Sequence, residues 1–252
     1  MERGDLAALG GLATFFSAEP LLPGRATALG EEEASHARVR RLDVGSAVRL
    51  VDGRGTVAHG TLVRLAKAHA VVDVAEVREA EPLPPIHLLA PVADRDRMLW
   101  LAEKATELGV SSWRPVQWHR SRSVSPRGEG MTFQGKVRAR MIGALKQSGG
   151  AWLPDIHPEA PPARALLAAP AGMRLLLDVE GTPILSRDLA APVTLALGPE
   201  GGVEPAEREA LLAAGFTPVR LADSVLRFET AGVAALGVLR AALTCTPETD
   251  RA

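Results

Sequence analysis

The run Leu195-Ala196-Leu197-Gly198-Pro199-Glu200-Gly201-Gly202-Val203, followed by Glu204-Pro205-Ala206-Glu207, sets three glycines between an apolar strand and a helix start. Backbone without Cβ can approach a ligand closely. The spacing matches neither G-x-G-x-x-G nor G-x-x-x-x-G-K-[ST], so dinucleotide and P-loop phosphate sites are not supported. Acids crowding the helix start also disfavour a phosphate there. A tight strand-to-helix turn holding no ligand would use the same glycines.

A second run, Val219-Arg220-Leu221-Ala222-Asp223-Ser224-Val225-Leu226-Arg227-Phe228-Glu229-Thr230-Ala231-Gly232, joins a strand end to a helix rich in small residues. It sets Arg227 and Glu229 at the carboxyl end of the expected sheet, where ligand sites of α/β folds form. A surface ion pair is the plainer reading. A third run, residues 98–110, reads as an amphipathic helix ending at Gly109 and leading into a buried strand at Trp113. A fourth, Arg120-Ser121-Arg122-Ser123-Val124, suits phosphate contacts, and Trp113 and Trp118 would either stack bases or fill the core.

The elements that must hold these residues change character along the chain. Residues 12–80 read as short strands around turn signals such as Asp52-Gly53, with a short helix at 31–39, and suggest a small β-barrel. Residues 79–85 hold three prolines and form a linker. Beyond residue 86, strands are expected at 86–92, 113–118, 174–179, 193–197 and 217–221, with helices at 95–108, 133–147, 205–214 and 230–243. Residues 160–171 read as a short helix or a loose segment. The apolar strand runs predict a parallel sheet buried on both faces, an α/β unit. The expected division is therefore 1–80 and 86–252.

With 252 residues, 46% hydrophobic and 23% charged, the chain is neither disordered nor a disulfide mini-protein. A membrane span and a secretory signal are not expected, the single Cys245 has no internal partner, and no Cys/His group has zinc spacing. A cytoplasmic protein without a structural metal is expected. Net charge is only -1, yet residues 111–150 carry eight basic side chains and a single acidic one, Glu129. Such a block suggests a surface facing a polyanion; a solvated face is the plainer reading.

Taken in order, the motifs resemble the RsmE family of SPOUT-class RNA methyltransferases over nearly the whole chain. Glu103-Lys104-Ala105-Thr106-Glu107-Leu108-Gly109-Val110 is similar to its "K-x-x-E-L-G-V" helix. Gly198-Pro199-Glu200-Gly201-Gly202 and Leu226-Arg227-Phe228-Glu229-Thr230-Ala231 match its most specific pair of motifs. Arg122-Ser123-Val124 falls at a short basic segment, and Lys146-Gln147-Ser148-Gly149-Gly150 falls at one usually reading Glu-Gln-Ser-x-Arg. The start of the chain, with His36 and Asp52-Gly53, is similar to the family's PUA-like barrel. Lys146 and Gly150 depart from the expected Glu and Arg. Ala222 and Ser224 depart from a usual glycine and a basic or amide residue.

The resemblance implies S-adenosylmethionine-dependent methylation of ring nitrogen 3 of a uridine in small-subunit ribosomal RNA. It further implies a deep trefoil knot, a homodimer, and a partly or fully assembled 30S particle as partner. The cofactor would lie among Leu177, Leu197, Gly198, Pro199, Glu200, Gly201, Gly202, Leu221, Ser224, Val225, Leu226 and Thr230. Arg227 would hold the base or its developing negative charge, with Glu229 or Glu200 orienting it or accepting a proton. Arg38, Arg40, Arg41, Arg120, Arg122, Arg140 and Lys146 would track RNA phosphates. If the family's missing Arg contacts RNA, Lys146 or Arg140 is expected to stand in for it. Two other readings stay open: an RNA-binding module with a degenerate cofactor site, and a SPOUT methyltransferase acting on tRNA.

Overall fold

The computed structural model describes residues 11–123 and 126–244; residues 1–5, Val124, Cys245 and the Arg122 side chain lie outside the described part. The chain forms two compact units, 1–82 with 142–153, and 83–141 with 154–252. The division is therefore not one cut at the proline linker, because residues 142–153 belong with the amino-terminal unit.

In that unit, strands β1 (Ala13–Phe16), β2 (Ala26–Leu29), β3 (Ala47–Val51), β4 (Thr56–Leu65) and β5 (Ala70–Glu79) form a sheet of order β1-β3-β4-β5-β2. Only β1 and β3 run parallel. Among the described residues β1 and β2 stand at the two ends of the order, so the expected barrel is a five-stranded sheet without ring closure in its pairing. Asp52 makes the β3–β4 turn by accepting from the amides of Arg54 at 2.8 Å and Thr56 at 3.1 Å. Helix α1 (Glu31–Val39) lies where expected, with three acids in its first turn. It ends at Arg41, a non-glycine residue with φ +56°. Phe15, Leu50 and Leu62 are fully buried in the main core. A second cluster joins Val51 and Val57 to Leu145 and Ala151.

The other unit is a parallel six-stranded sheet of order β11-β9-β10-β6-β7-β8. Its strands are β6 (Ile86–Pro91), β7 (Ser112–Val116), β8 (Asp155–Ile156), β9 (Met173–Pro183), β10 (Val193–Ala196) and β11 (Thr217–Arg220). Its helices are α2 (Arg95–Glu107), α4 (Pro162–Leu167), α5 (Pro205–Ala213) and α6 (Phe228–Thr244). Helix α3 (Met131–Ser148) starts in this unit and ends in the other. Two short strands escape the sequence patterns: β2 reads Ala-Thr-Ala-Leu, poor in strong strand formers, and β8 has two residues, too few to show a period.

Local chemistry fixes the helix ends that matter for the site. The Asp94 side chain accepts from the amides of Asp96 and Arg97 and starts α2, and Gly109 ends it at φ +68°. Helix α5 starts with Pro205 and a capping box between Glu204 and Glu207. Helix α6 begins two residues earlier than expected, so Glu229 and Thr230 lie in its first turn. At Gly232 a Cβ would sit 2.8 Å from Leu101 Cδ1 and 2.9 Å from Leu197 Cδ1, so the absence of a side chain lets α6 press against α2 and the end of β10.

Candidate active site

The carboxyl ends of β9, β10 and β11 enclose a cleft of about 530 Å³. One wall arises because β9 leaves β11 partway. Pairing jumps from Leu176↔Pro218 to Thr182↔Val219, so residues 177–181 swing out of register. Gly181 returns the chain to the sheet, and a Cβ there would lie 2.4 Å from Val219 N. The second wall is the turn at residues 198–203, and the third is the loop after β11. Phe228 and Ala231 of α6 complete the lining.

The glycine turn is held from behind. Leu197 N donates to Leu89 O at 3.0 Å, and Leu197 O accepts from the buried Trp118 indole at 2.9 Å. Gly202, at φ +76°, donates to Pro199 O at 2.8 Å. Gly198 packs so closely that a Cβ would meet Val203 Cγ2 at 2.9 Å. Among the described residues, the amides of Gly198, Glu200 and Gly201 and those of Ala222, Ser224, Val225 and Leu226 make no hydrogen bond within the protein. Two loops around one cleft thus carry donors with no protein acceptor. Buried or ligand-covered amides need a partner, so these donors suit a bound polar molecule.

Charged groups ring the cleft. Arg208 Nε lies 2.7 Å from Asp178 Oδ2, and that hydrogen bond holds the guanidinium pKa above the ordinary arginine value. Arg97, in the first turn of α2, reaches Glu200 Oε1 at 3.5 Å and Glu229 Oε1 at 3.7 Å. Glu229 Oε2 is buried and has no hydrogen-bond partner among the described residues. Arg227 is exposed, with no side-chain hydrogen bond or ion pair among the described residues. The two carboxylates expected to orient Arg227 therefore reach Arg97 instead.

Most expected cofactor residues line the cleft: Leu177, Leu197, the 198–202 turn, Leu221 and Ser224 to Leu226. Thr230 does not line it and is exposed, and Val225 is 81% exposed rather than a buried wall. The expected RNA contacts divide. Arg40 and Arg41 are exposed, while Arg38 donates to Lys67 O at 3.0 Å. Arg140 pairs with Glu103 at 3.1 Å. Lys146 is a correction: its side chain is 11% exposed and its Nζ lies 2.6 Å from Glu33 Oε1, so an internal carboxylate occupies it. Arg120 lines the cleft. Trp113 and Trp118 are fully buried and cannot stack bases.

Arg97, Asp178 and Arg208 escape the motif reading of the sequence, although a signal exists for each. A cation in the first turn of a helix opposes the helix dipole and calls for carboxylates nearby. An acid in the apolar run Leu175-Leu176-Leu177-Asp178-Val179 calls for a cation, and Arg208 supplies it.

A family model described as an RNA methyltransferase domain matches residues 79–240, and one described as an RNA methyltransferase PUA domain matches residues 29–74. A Mycobacterium bovis protein named ribosomal RNA small subunit methyltransferase E is 30% identical over 223 residues, 83% of this chain and 84% of that one. A Synechocystis protein of the same name is 30% identical over 219 residues, 82% and 69% of the two chains. A putative methyltransferase of Legionella pneumophila, solved with bound SAM, is 27% identical with a TM-score of 0.84, covering 92% of this chain and 98% of that one. The small subunit methyltransferase E of Neisseria gonorrhoeae, bound to S-adenosyl methionine, is 27% identical with a TM-score of 0.82, covering 91% and 97%.

Proposed function

The chain belongs to the ribosomal RNA small subunit methyltransferase E family, and from that premise we propose that it methylates ring nitrogen 3 of one uridine in small-subunit ribosomal RNA, using S-adenosylmethionine. The observation that carries this reading is the two sets of unpaired amides around one cleft at the carboxyl ends of β9, β10 and β11. The cleft's volume is in the range of small-molecule sites. Its apolar side chains, Leu176, Leu177 and Leu197, suit a neutral purine face, and its amides suit ring nitrogens and ribose oxygens. Asp178, Glu180 and Glu200 stand in its lining against Arg120, Arg208 and Arg220, so the cleft carries both signs of charge, as the amino-acid end of the cofactor does. The residues present therefore fit the cofactor.

When bound, S-adenosylmethionine supplies a methyl group activated on a sulfonium. The protein's main task is then to align nucleophile, methyl and leaving sulfur. The 198–202 turn and residues 221–226 hold the nucleoside part. Arg227, exposed and without a side-chain partner among the described residues, binds the uracil and stabilises the negative charge that develops as the N3 proton passes to water. Arg97 ties Glu200 and Glu229 together, and so links the glycine turn to the start of α6 rather than orienting Arg227. No dedicated general base is assigned. Arg40 and Arg41 supply phosphate contacts. The same reading carries a knotted carboxy-terminal fold, a cytoplasmic location and a homodimer, for which sedimentation should give twice the 26.6 kDa chain mass.

The test is methyl-labelled S-adenosylmethionine incubated with small ribosomal subunits lacking the modification, followed by nucleotide mapping. Label on N3 of a single uridine is expected. Label on tRNA alone would make the substrate tRNA. Salt-dependent RNA binding without label would make the chain a binding module with a degenerate cofactor site.

A further inference from the structure

The basic segment after β7 does not stand away from the cleft. Its residues 118–120 strap onto the glycine turn and the helix that follows it. The Trp118 indole donates to Leu197 O, and the His119 amide donates to Glu207 Oε1 at 2.8 Å. Arg120 Nη1 donates to Gly201 O and Arg120 Nε to Glu204 Oε1. The Arg120 stem lies flat on Gly201, where a Cβ would meet Arg120 Cδ at 3.0 Å and Arg120 Cβ at 3.2 Å. The side chain itself lines the cleft.

Gly201 C=O and Gly202 N–H belong to one planar trans peptide, so they point in opposite directions. Arg120 holds the first, and Pro199 O holds the second. That peptide is fixed at both ends. The neighbouring amides of Gly201 and Glu200 lie one and two peptides before it and have no acceptor among the described residues.

We propose that Arg120 is a positioning residue for the cofactor: it clamps the Gly201–Gly202 peptide and so pre-organises the turn that grips S-adenosylmethionine, instead of contacting an RNA phosphate. Gly201 is glycine because the Arg120 stem occupies the space a Cβ would take, and its backbone is not left-handed. The proposal rests on the cofactor reading given above.

The test measures S-adenosylhomocysteine affinity by calorimetry and the salt dependence of binding to a single-stranded RNA oligonucleotide, on the full chain. Arg120→Ala should weaken S-adenosylhomocysteine roughly tenfold, the size expected for losing a charged hydrogen bond that orders a site. Its RNA salt slope should match the parent. Gly201→Ala keeps the charge but displaces the stem, and should weaken the ligand by a similar factor. The double variant should lose no more than either single one, because both remove the same clamp. Arg120→Lys, with one ammonium in place of a fork, should recover only part of the affinity.

Unchanged ligand affinity in both single variants would overturn the proposal. So would a fall of about 0.7 in the RNA slope for Arg120→Ala, which marks a lost phosphate contact. Should Arg120→Ala not unfold cooperatively, Gly201→Ala alone decides. A parent protein that binds no S-adenosylhomocysteine would instead refute the cofactor reading itself.

Discussion

The basic stretch 111–150 and the end of helix α1 look alike in the sequence, yet the fold treats their cations oppositely. In the first, Arg120 pairs with Glu204, Arg127 with Glu129, Arg140 with Glu103 and Lys146 with Glu33. Three of those acids come from outside the stretch, so part of its excess positive charge is answered from elsewhere in the chain. At the end of α1, Arg40 and Arg41 are exposed and have no side-chain partner among the described residues. Charge summed over a segment therefore says little about a polyanion surface until the partners are known. Unanswered cations, not numerous ones, mark where a phosphate or an anionic base can bind.

That contrast is broken most sharply at Arg227, the unanswered cation beside the cleft. Arg227→Ala should lower methyl transfer about a hundredfold or more, the effect of deleting a donor to developing negative charge. S-adenosylhomocysteine affinity should survive; single-turnover labelling and calorimetry check the two halves. Next in size is Lys146→Met, which leaves Glu33 buried without its cation and should cost roughly 3 kcal/mol in urea unfolding. Adding Glu33→Leu should recover most of that loss, while RNA affinity stays at the parental value in both. A large drop in RNA affinity for Lys146→Met at intact stability would return this lysine to the RNA-facing set.

The joint variant Arg40→Ala/Arg41→Ala should bind single-stranded RNA more weakly, with the log-log salt slope smaller by about 1.4, two phosphate contacts' worth. An unchanged slope would show that these exposed cations do not meet phosphate. The smallest effect belongs to Arg41→Gly. Removing a side chain from a left-handed backbone should raise stability by about 1 kcal/mol in urea while still lowering RNA affinity. Gain in one measurement with loss in the other would show that a strained arginine is kept for binding.

The parallel sheet and the glycine turn were legible because their signals are local: apolar strand runs, a proline at a helix start, glycines where a Cβ would clash. Gly109 and Pro205 stand at the helix end and the helix start that their sequence contexts suggest, and residues 198–202 turn between β10 and α5. What stayed hidden is long-range pairing. Nothing near Arg120 in the sequence announces Glu204, and nothing near Lys146 announces Glu33 more than a hundred positions away. The bulge at 177–181 was equally hidden, since a strand that leaves its neighbour and returns reads as one apolar run. Arg49 shows the same limit. It lies buried and donates to Gly149 O at 3.0 Å and Gly150 O at 3.2 Å, with burial and then the charge of Arg78 lowering its pKa. That contact gives Gly150 a structural role which the resemblance alone did not supply.

Residues 142–153 have a further consequence, for how the protein is made. They complete the core begun by the first 82 residues, covering Val51 and Val57 with Leu145 and Ala151 and setting Trp152 against Gly55. During synthesis the amino-terminal unit must wait, with that apolar patch uncovered, until position 153 has left the ribosomal tunnel. A translation pause before that point would leave a half-finished nascent chain open to chaperones and proteases.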